Sequence, residues 1–173
     1  MTTTPSHTVS RGGARSMAQV SLFAALMAVM GLIPKIDLPF GVPITIQSLG
    51  VMLAGVMLGP WRGLQSMALF LAAVAVGLPL LSGGRGGIGV FMAPSAGYLI
   101  GYMLAAAVTG AIMAALPQST PRRTALSAFI ASLIGGLLCL HAFGVLGLML
   151  IAKMSLSQAF AVTLAFVPGD FIK

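Results

Sequence analysis

Long apolar runs recur along this chain between short polar breaks, and only two acidic residues, Asp37 and Asp170, occur in its 173 positions. A run able to cross a hydrocarbon core of about 30 Å must satisfy its own backbone, so each is expected to be a membrane helix. Charged residues make up 6% of the sequence, whereas a soluble domain carries roughly 25%. The expected class is an all-α membrane protein, a bundle of helices rather than a solitary span.

The runs are expected at residues 17–33, 44–58, 64–81, 96–116 and 125–152, and a shorter one at 155–167. Pro34 closes the first, and the turn Gly59, Pro60, Trp61, Arg62 closes the second. The third ends in a glycine-dense loop, residues 82–89, and the fourth in a polar break that holds Arg122 and Arg123. The fifth is longer than a perpendicular crossing needs, so it is expected to tilt or kink near its glycines. About a dozen residues at 1.5 Å each cannot cross a bilayer, so 155–167 is expected to be re-entrant or to lie on the outer face. It would deliver Pro168 to Lys173 to the start of a further helix, inside which the chain stops, so the last helix is expected to be truncated.

Nine Lys and Arg give a formal charge of +7, which in a soluble protein would point to nucleic acid. Here the arginines lie mostly between apolar runs, so they read as topology signals and contacts to anionic lipid in the bilayer, with no nucleic acid partner. Arg11, Arg15, Arg62, Arg122 and Arg123 fall on one side, and Lys35, Arg85 and Lys153 on the other. The positive-inside rule then puts the N-terminus in the cytosol of a multi-pass protein, with the loops bearing Asp37, Arg85 and Lys153 outside. Residues 1–16 read as a disordered cytosolic tail, because neither a short apolar region nor a small-residue cleavage site is clear, and residues 17–173 as one transmembrane domain. Cys139 stands alone in an apolar run, so no disulfide framework exists.

An ionisable residue at membrane depth is a functional candidate by default. If a helix begins near Pro168, Asp170 lies at its positive end, with Lys173 three residues on along the same face. Two readings fit: a ligand site offering an acceptor beside a cation, or a capping aspartate with a lysine reaching for the headgroups. Gly84, Gly86 and Gly89 match the spacing of a dinucleotide fingerprint, but the strand and the acid that fingerprint requires are missing. What the loop offers is backbone open to close approach, with Arg85 able to meet an anion. Small residues four apart, at Ala24 and Ala28, Gly55 and Gly59, and Gly97 and Gly101, suit close helix packing. The first pair could instead face another protein.

Other chemistries find no support. No lysine follows a glycine run as in a phosphate-binding loop. His141 has no partner at metal-ligand spacing and reads as a satisfied polar residue in the bundle. No nucleophile motif surrounds Ser95 or Ser132, and the methionines read as packing. No enzyme class is indicated.

Four ordered motifs resemble one family. They are Pro39-Phe40-Gly41-Val42-Pro43-Ile44-Thr45-Ile46-Gln47 with Gly50-Val51-Met52-Leu53-Ala54-Gly55; Gly77-Leu78-Pro79 with the loop 83–89; Gly97-Tyr98-Leu99-Ile100-Gly101; and Pro168-Gly169-Asp170 with Lys173. From the first span onward the chain is similar to the BioY biotin transporters, the substrate-capture S components of energy-coupling-factor (ECF) transporters. The resemblance implies a six-helix protein of a prokaryotic plasma (inner) membrane that captures biotin outside and passes it inward. It would do so docked on a transmembrane coupling subunit with two ATPase subunits, which use the ATP, and needs no cofactor of its own. It also implies ligand contacts from Thr45, Gln47, Arg85, Gly86, Gly89, Tyr98, Asp170 and Lys173, and a coupling-subunit contact at Ala24 and Ala28. Ser95 and Ala96 stand where that family usually shows Thr and Gly, and His141 and Gly147 where aromatics are common. Open alternatives are a carrier of another small vitamin and a membrane subunit with no ligand.

Overall fold

Residues 11–37 and 42–173 are described by the computed structural model of the chain. Helix α1 spans Arg11–Met30 and begins six residues before the expected start of the first span, which corrects residues 11–16 of the expected tail. Those residues contain no proline, and extending an existing helix gains a hydrogen bond for each residue fixed. Residues 1–10 of that tail, and Leu38 to Gly41 with part of the first motif, lie outside the described residues.

Helix α2, Gln47–Ala75, contains one residue off the helical path, Gly59, at φ 79° and ψ −178°. That backbone conformation is open almost only to glycine, and Pro60 begins the next helical turn. The two arms, residues 47–58 and 60–75, fold back on each other. A Cβ built on Gly63 would sit 3.4 Å from the Gly55 Cα, and the Gln47 amide reaches the Leu80 carbonyl at 3.1 Å. A straight helix would hold residues 47 and 75 roughly 40 Å apart. The second and third apolar runs are therefore the arms of a helical hairpin. Gly59→Ala should cost about 1–3 kcal/mol of corner strain, seen as a lower melting temperature in detergent.

The third run ends at Ala75 rather than residue 81, because Gly77 takes φ 109° and Pro79 follows. An irregular loop with a 3-10 turn at Ile88–Met92 leads to α3, Ala96–Ala115. Leu116 turns extended before Pro117 and stops α3. Thr120 caps α4, Pro121–Ala131, by accepting from the Arg123 backbone N–H, and Pro121 occupies its first turn. The helix widens into a π segment, Ser132–Cys139, and continues as α5, Leu140–Leu150. That widening falls where the sequence predicts distortion: Gly135 presses on Thr109, and Gly136 on Met52. A capping box of Ser155 and Gln158 opens the nine-residue α6, Leu156–Leu164, and α7, Val167–Ile172, follows with Pro168 in its first turn.

Among the described residues, three helices are long and apolar enough to cross a membrane: Gly12–Met30, Ala96–Ala115 and Pro121–Leu150. Between them lie the two shorter arms of α2. α3 occupies the centre, touching α2, α4, the π segment and α5. Val51, Met67, Phe70, Ala105 and Leu148 are buried in the shared core, whereas Leu22, Val29, Leu69, Leu104, Leu138 and Leu150 are exposed around the bundle. Such an apolar belt suits lipid rather than water.

The bundle has two distinct ends. Gly110 packs on the Gly59–Pro60 corner, so the far end of α3 lies beside the hairpin tip; Gly97 packs on Gly147, so its near end lies beside the end of α5. Arg62 follows the hairpin tip, and Arg122 and Arg123 open α4, at the end opposite the loop that carries Arg85.

Candidate functional site

At the near end, side chains from the start of α2, from α5 and from the end of the chain converge on one carboxylate. Asp170 is buried in the first turn of α7, where the helix dipole favours an anion. Its Oδ1 accepts from the Lys173 ammonium at 2.6 Å and from the Ser48 hydroxyl at 2.9 Å. The Lys173 Nζ also donates to the Thr45 carbonyl at 2.7 Å and to Ser48 Oγ at 2.8 Å. With three N–H groups and three acceptors, the ammonium is saturated. The lysine thus turns inward rather than reaching for the headgroups, and no side-chain cap bond opens α7; the network closes α7 onto α2 and holds two opposite charges at a cavity.

That cavity, of about 50 Å³, is lined by Thr45, Gln47, Arg85, Tyr98, Asp170 and Lys173, all six singled out from the sequence. Gln47 is buried and fully engaged: its amide N–H groups donate to the carbonyls of Met27 (3.0 Å) and Leu80 (3.1 Å), and its Oε1 accepts from Ser82. It therefore ties α1 and the glycine loop to the start of α2. Arg85 bonds the Ser82 carbonyl at 3.5 Å and Ser95 Oγ at 3.4 Å, and is only partly buried. Tyr98 meets Thr163 through its hydroxyl at 3.1 Å and stands edge-on to His141, with ring centroids 5.8 Å apart.

Gly86 and Gly89 do not line the cavity. A Cβ at Gly86 would strike the Leu78–Pro79 backbone, so its role is to let the loop lie close to that strand of chain, and Gly89 faces open space. The expected surface at Ala24 and Ala28 is also corrected. Ala24 is buried and Ala28 packs against the core, so this stripe faces the chain's own hairpin; α1 turns Ala14, Ala18, Ser21 and Ala25 outward instead. The other small pairs do pack internally: Gly55 on Ala106 and Thr109, and Gly101 on Leu140 and Phe143.

Sequence reasoning missed Ser48, Tyr102 and His141, which also line the cavity. Tyr102 lies one turn beyond Tyr98 on α3, a spacing that could have signalled it. His141 is not the satisfied residue expected. Its Nε2 lies 2.9 Å from Asp170 Oδ2 but off the line of a directed hydrogen bond, and its Nδ1 has no partner among the described residues. Among the described residues, the charged groups of the lining are Arg85, Lys173 and Asp170, two cations against one anion. A monoanion with apolar bulk and a few hydrogen-bonding groups would complement it.

Sequence comparison finds the BioY family matching residues 1–173. A biotin transporter BioY of Rhodobacter capsulatus is 48% identical over 168 residues, covering 92% of this chain and 87% of that protein. Another from Rhizobium etli is 47% identical at the same coverage, and a probable biotin transporter BioY of Bacillus subtilis is 44% identical, covering 91% and 83%. Among solved structures, the S-component for biotin from an ECF-type ABC transporter superposes with a TM-score of 0.83 at 29% identity, covering 95% of this chain and 87% of that one. The family match runs along the whole sequence and the bundle is shared, so the chain belongs to the BioY family.

Proposed function

We propose that this membrane protein captures biotin as the substrate-binding component of an ECF-type transporter. The observation that carries the reading is the cavity's charge and lining: two cations, one buried acid and a wall of aromatic and aliphatic side chains. Biotin supplies the complement, with a carboxylate for Arg85, a ureido group for the end near Asp170, and an apolar arm between. The relatives named as biotin transporters support the same ligand. Gly86 shapes the loop that carries Arg85 by lying against Leu78–Pro79.

Titration calorimetry of the purified chain in detergent tests this directly. Biotin should give saturable heat, with thiamine and riboflavin giving none, and at a hundredfold excess over Kd should stabilise the fold by about 2.7 kcal/mol. Heat with either other vitamin and none with biotin would reassign the ligand, and no heat with any would favour a subunit without one.

In the proposed orientation the Arg62 and Arg122–Arg123 end faces the cytosol, with the N-terminus, and the cavity opens outward. The proposed partner module is a transmembrane coupling subunit with two ATPases, which would meet the outward face of α1 at Ala18 and Ala25, where small residues let another helix approach closely. Ala25→Trp is expected to leave biotin affinity unchanged and to remove module-driven uptake in whole cells. Ala24→Leu, pointing inward, is instead expected to cost about 1–3 kcal/mol of stability by overpacking.

A further inference from the structure

The Asp170–Lys173 network leaves a buried ring nitrogen of the cavity without a partner among the described residues. The His141 side chain is 8% exposed, lines the cavity, and has no hydrogen-bond partner for Nδ1 among the described residues. A buried nitrogen left unpaired costs free energy that a native core rarely tolerates without a use for it. The groups around the ring are fixed. Tyr98 from α3 stands edge-on and spends its hydroxyl on Thr163 of α6, Phe166 packs at 5.9 Å, and Asp170 of α7 faces Nε2, with Lys173 committed to Asp170 on the carboxylate's other oxygen. None of them offers Nδ1 a donor. The negative charge of the carboxylate, 2.9 Å from Nε2, favours the proton of the neutral ring on that nitrogen even without a well-aligned hydrogen bond, which leaves Nδ1 as a lone-pair acceptor.

We propose that His141 is a ligand-contacting, specificity-determining residue whose Nδ1 accepts a hydrogen bond from a ureido N–H of the bound vitamin. The inference rests on the biotin reading above. The ureido ring then meets two acceptors, the Asp170 carboxylate and the imidazole, which matches a group presenting two N–H donors. The imidazole is held in a triangle of rings with Tyr98 and Phe166, which also pack on each other at 5.7 Å, and this limits its orientation. Selectivity follows as well: a ligand that presents an acceptor or an apolar edge here would leave Nδ1 unpaired or oppose its lone pair.

The test pairs a ligand change with a residue change. Affinities are measured by calorimetry for biotin and for its two cyclic carbamate analogues, each with one ureido N–H replaced by oxygen, on the wild-type chain and on His141→Phe. In the wild type, the analogue lacking the contacted N–H should bind about tenfold more weakly relative to biotin than it does in His141→Phe. Equal losses in the two proteins, for both analogues, would overturn the contact, since a purely structural histidine cannot tell the analogues apart. If His141→Phe does not fold, nitrogen NMR of a His7→Gln chain, in which His141 is the single remaining histidine, decides instead. The Nδ1 resonance should move upfield on adding biotin, as for a lone pair that gains a donor, and an unmoved resonance in a biotin-saturated sample would overturn the proposal. Absence of biotin heat in the wild type would overturn the function on which the proposal rests, an outcome distinct from biotin binding with equal losses.

Discussion

Replacing Asp170 by alanine is expected to abolish tight biotin capture, lowering affinity by roughly 10²- to 10³-fold or more. The carboxylate is the hub on which Lys173, Ser48 and His141 converge, and removing one partner of a buried charged pair typically costs about 3–5 kcal/mol. The cost arises because Lys173 is left in a largely buried position, holding only the neutral Thr45 carbonyl and Ser48 hydroxyl. Lys173→Ala should be damaging for the mirror reason, stranding the acid with Ser48 and His141. Asp170→Asn keeps the shape and one acceptor oxygen, so its loss should be smaller than that of Asp170→Ala. Uptake of radiolabelled biotin, read beside thermal unfolding of the same variants, separates lost binding from lost fold. Uptake unchanged in both alanine variants would refute the assignment of the site.

Gly97→Val should have an effect of similar size by a different route. A Cβ at position 97 would lie 2.7 Å from the Gly147 Cα and 2.9 Å from its nitrogen. These are backbone atoms, which cannot swing aside, so the helices must separate. Overpacking costs about 1–3 kcal/mol even where side chains can adjust, and a forced shift of α3 against α5 belongs at or above the upper figure. The shift would also move Tyr98, the next residue, away from His141, so biotin affinity should fall with the melting temperature. Gly89→Ala is the contrast: its added Cβ meets nothing within 4 Å, and both readouts should stay as in the wild type.

The sequence makes some of this legible and hides the rest for physical reasons. Asp170 and Lys173 are readable because a first-turn proline fixes the helix start and a spacing of three puts both on one face. The hairpin corner is readable because the turn Gly59, Pro60, Trp61, Arg62 parts two apolar runs. Ser48 and His141 are not readable, because each becomes special only by meeting Asp170, 122 residues away in the case of Ser48, and a lone polar residue in an apolar helix carries no mark of the face it will take. Ala24 shows the same limit from the other side. A spacing of four predicts a flat stripe, but whether it meets the chain's own hairpin or a foreign helix depends on the rotation of α1, one position separating buried Ala24 from exposed Ala25. The glycine loop divides similarly, with Gly86 pressed on Leu78–Pro79 and Gly89 free, a difference set by backbone that lies several residues away.

The claim beneath all of this is that the buried acid, its lysine and Arg85 surround a vitamin cavity open to the outer face of the membrane. Ser95 lines that cavity and bonds Arg85, so a cysteine there, in a chain whose native Cys139 is changed to serine, reports on it directly. In intact cells, a membrane-impermeant thiol reagent should label Ser95→Cys from outside, and biotin should slow that labelling severalfold. Labelling only after the cytosolic face is exposed, or at a rate that biotin leaves unchanged, would contradict it.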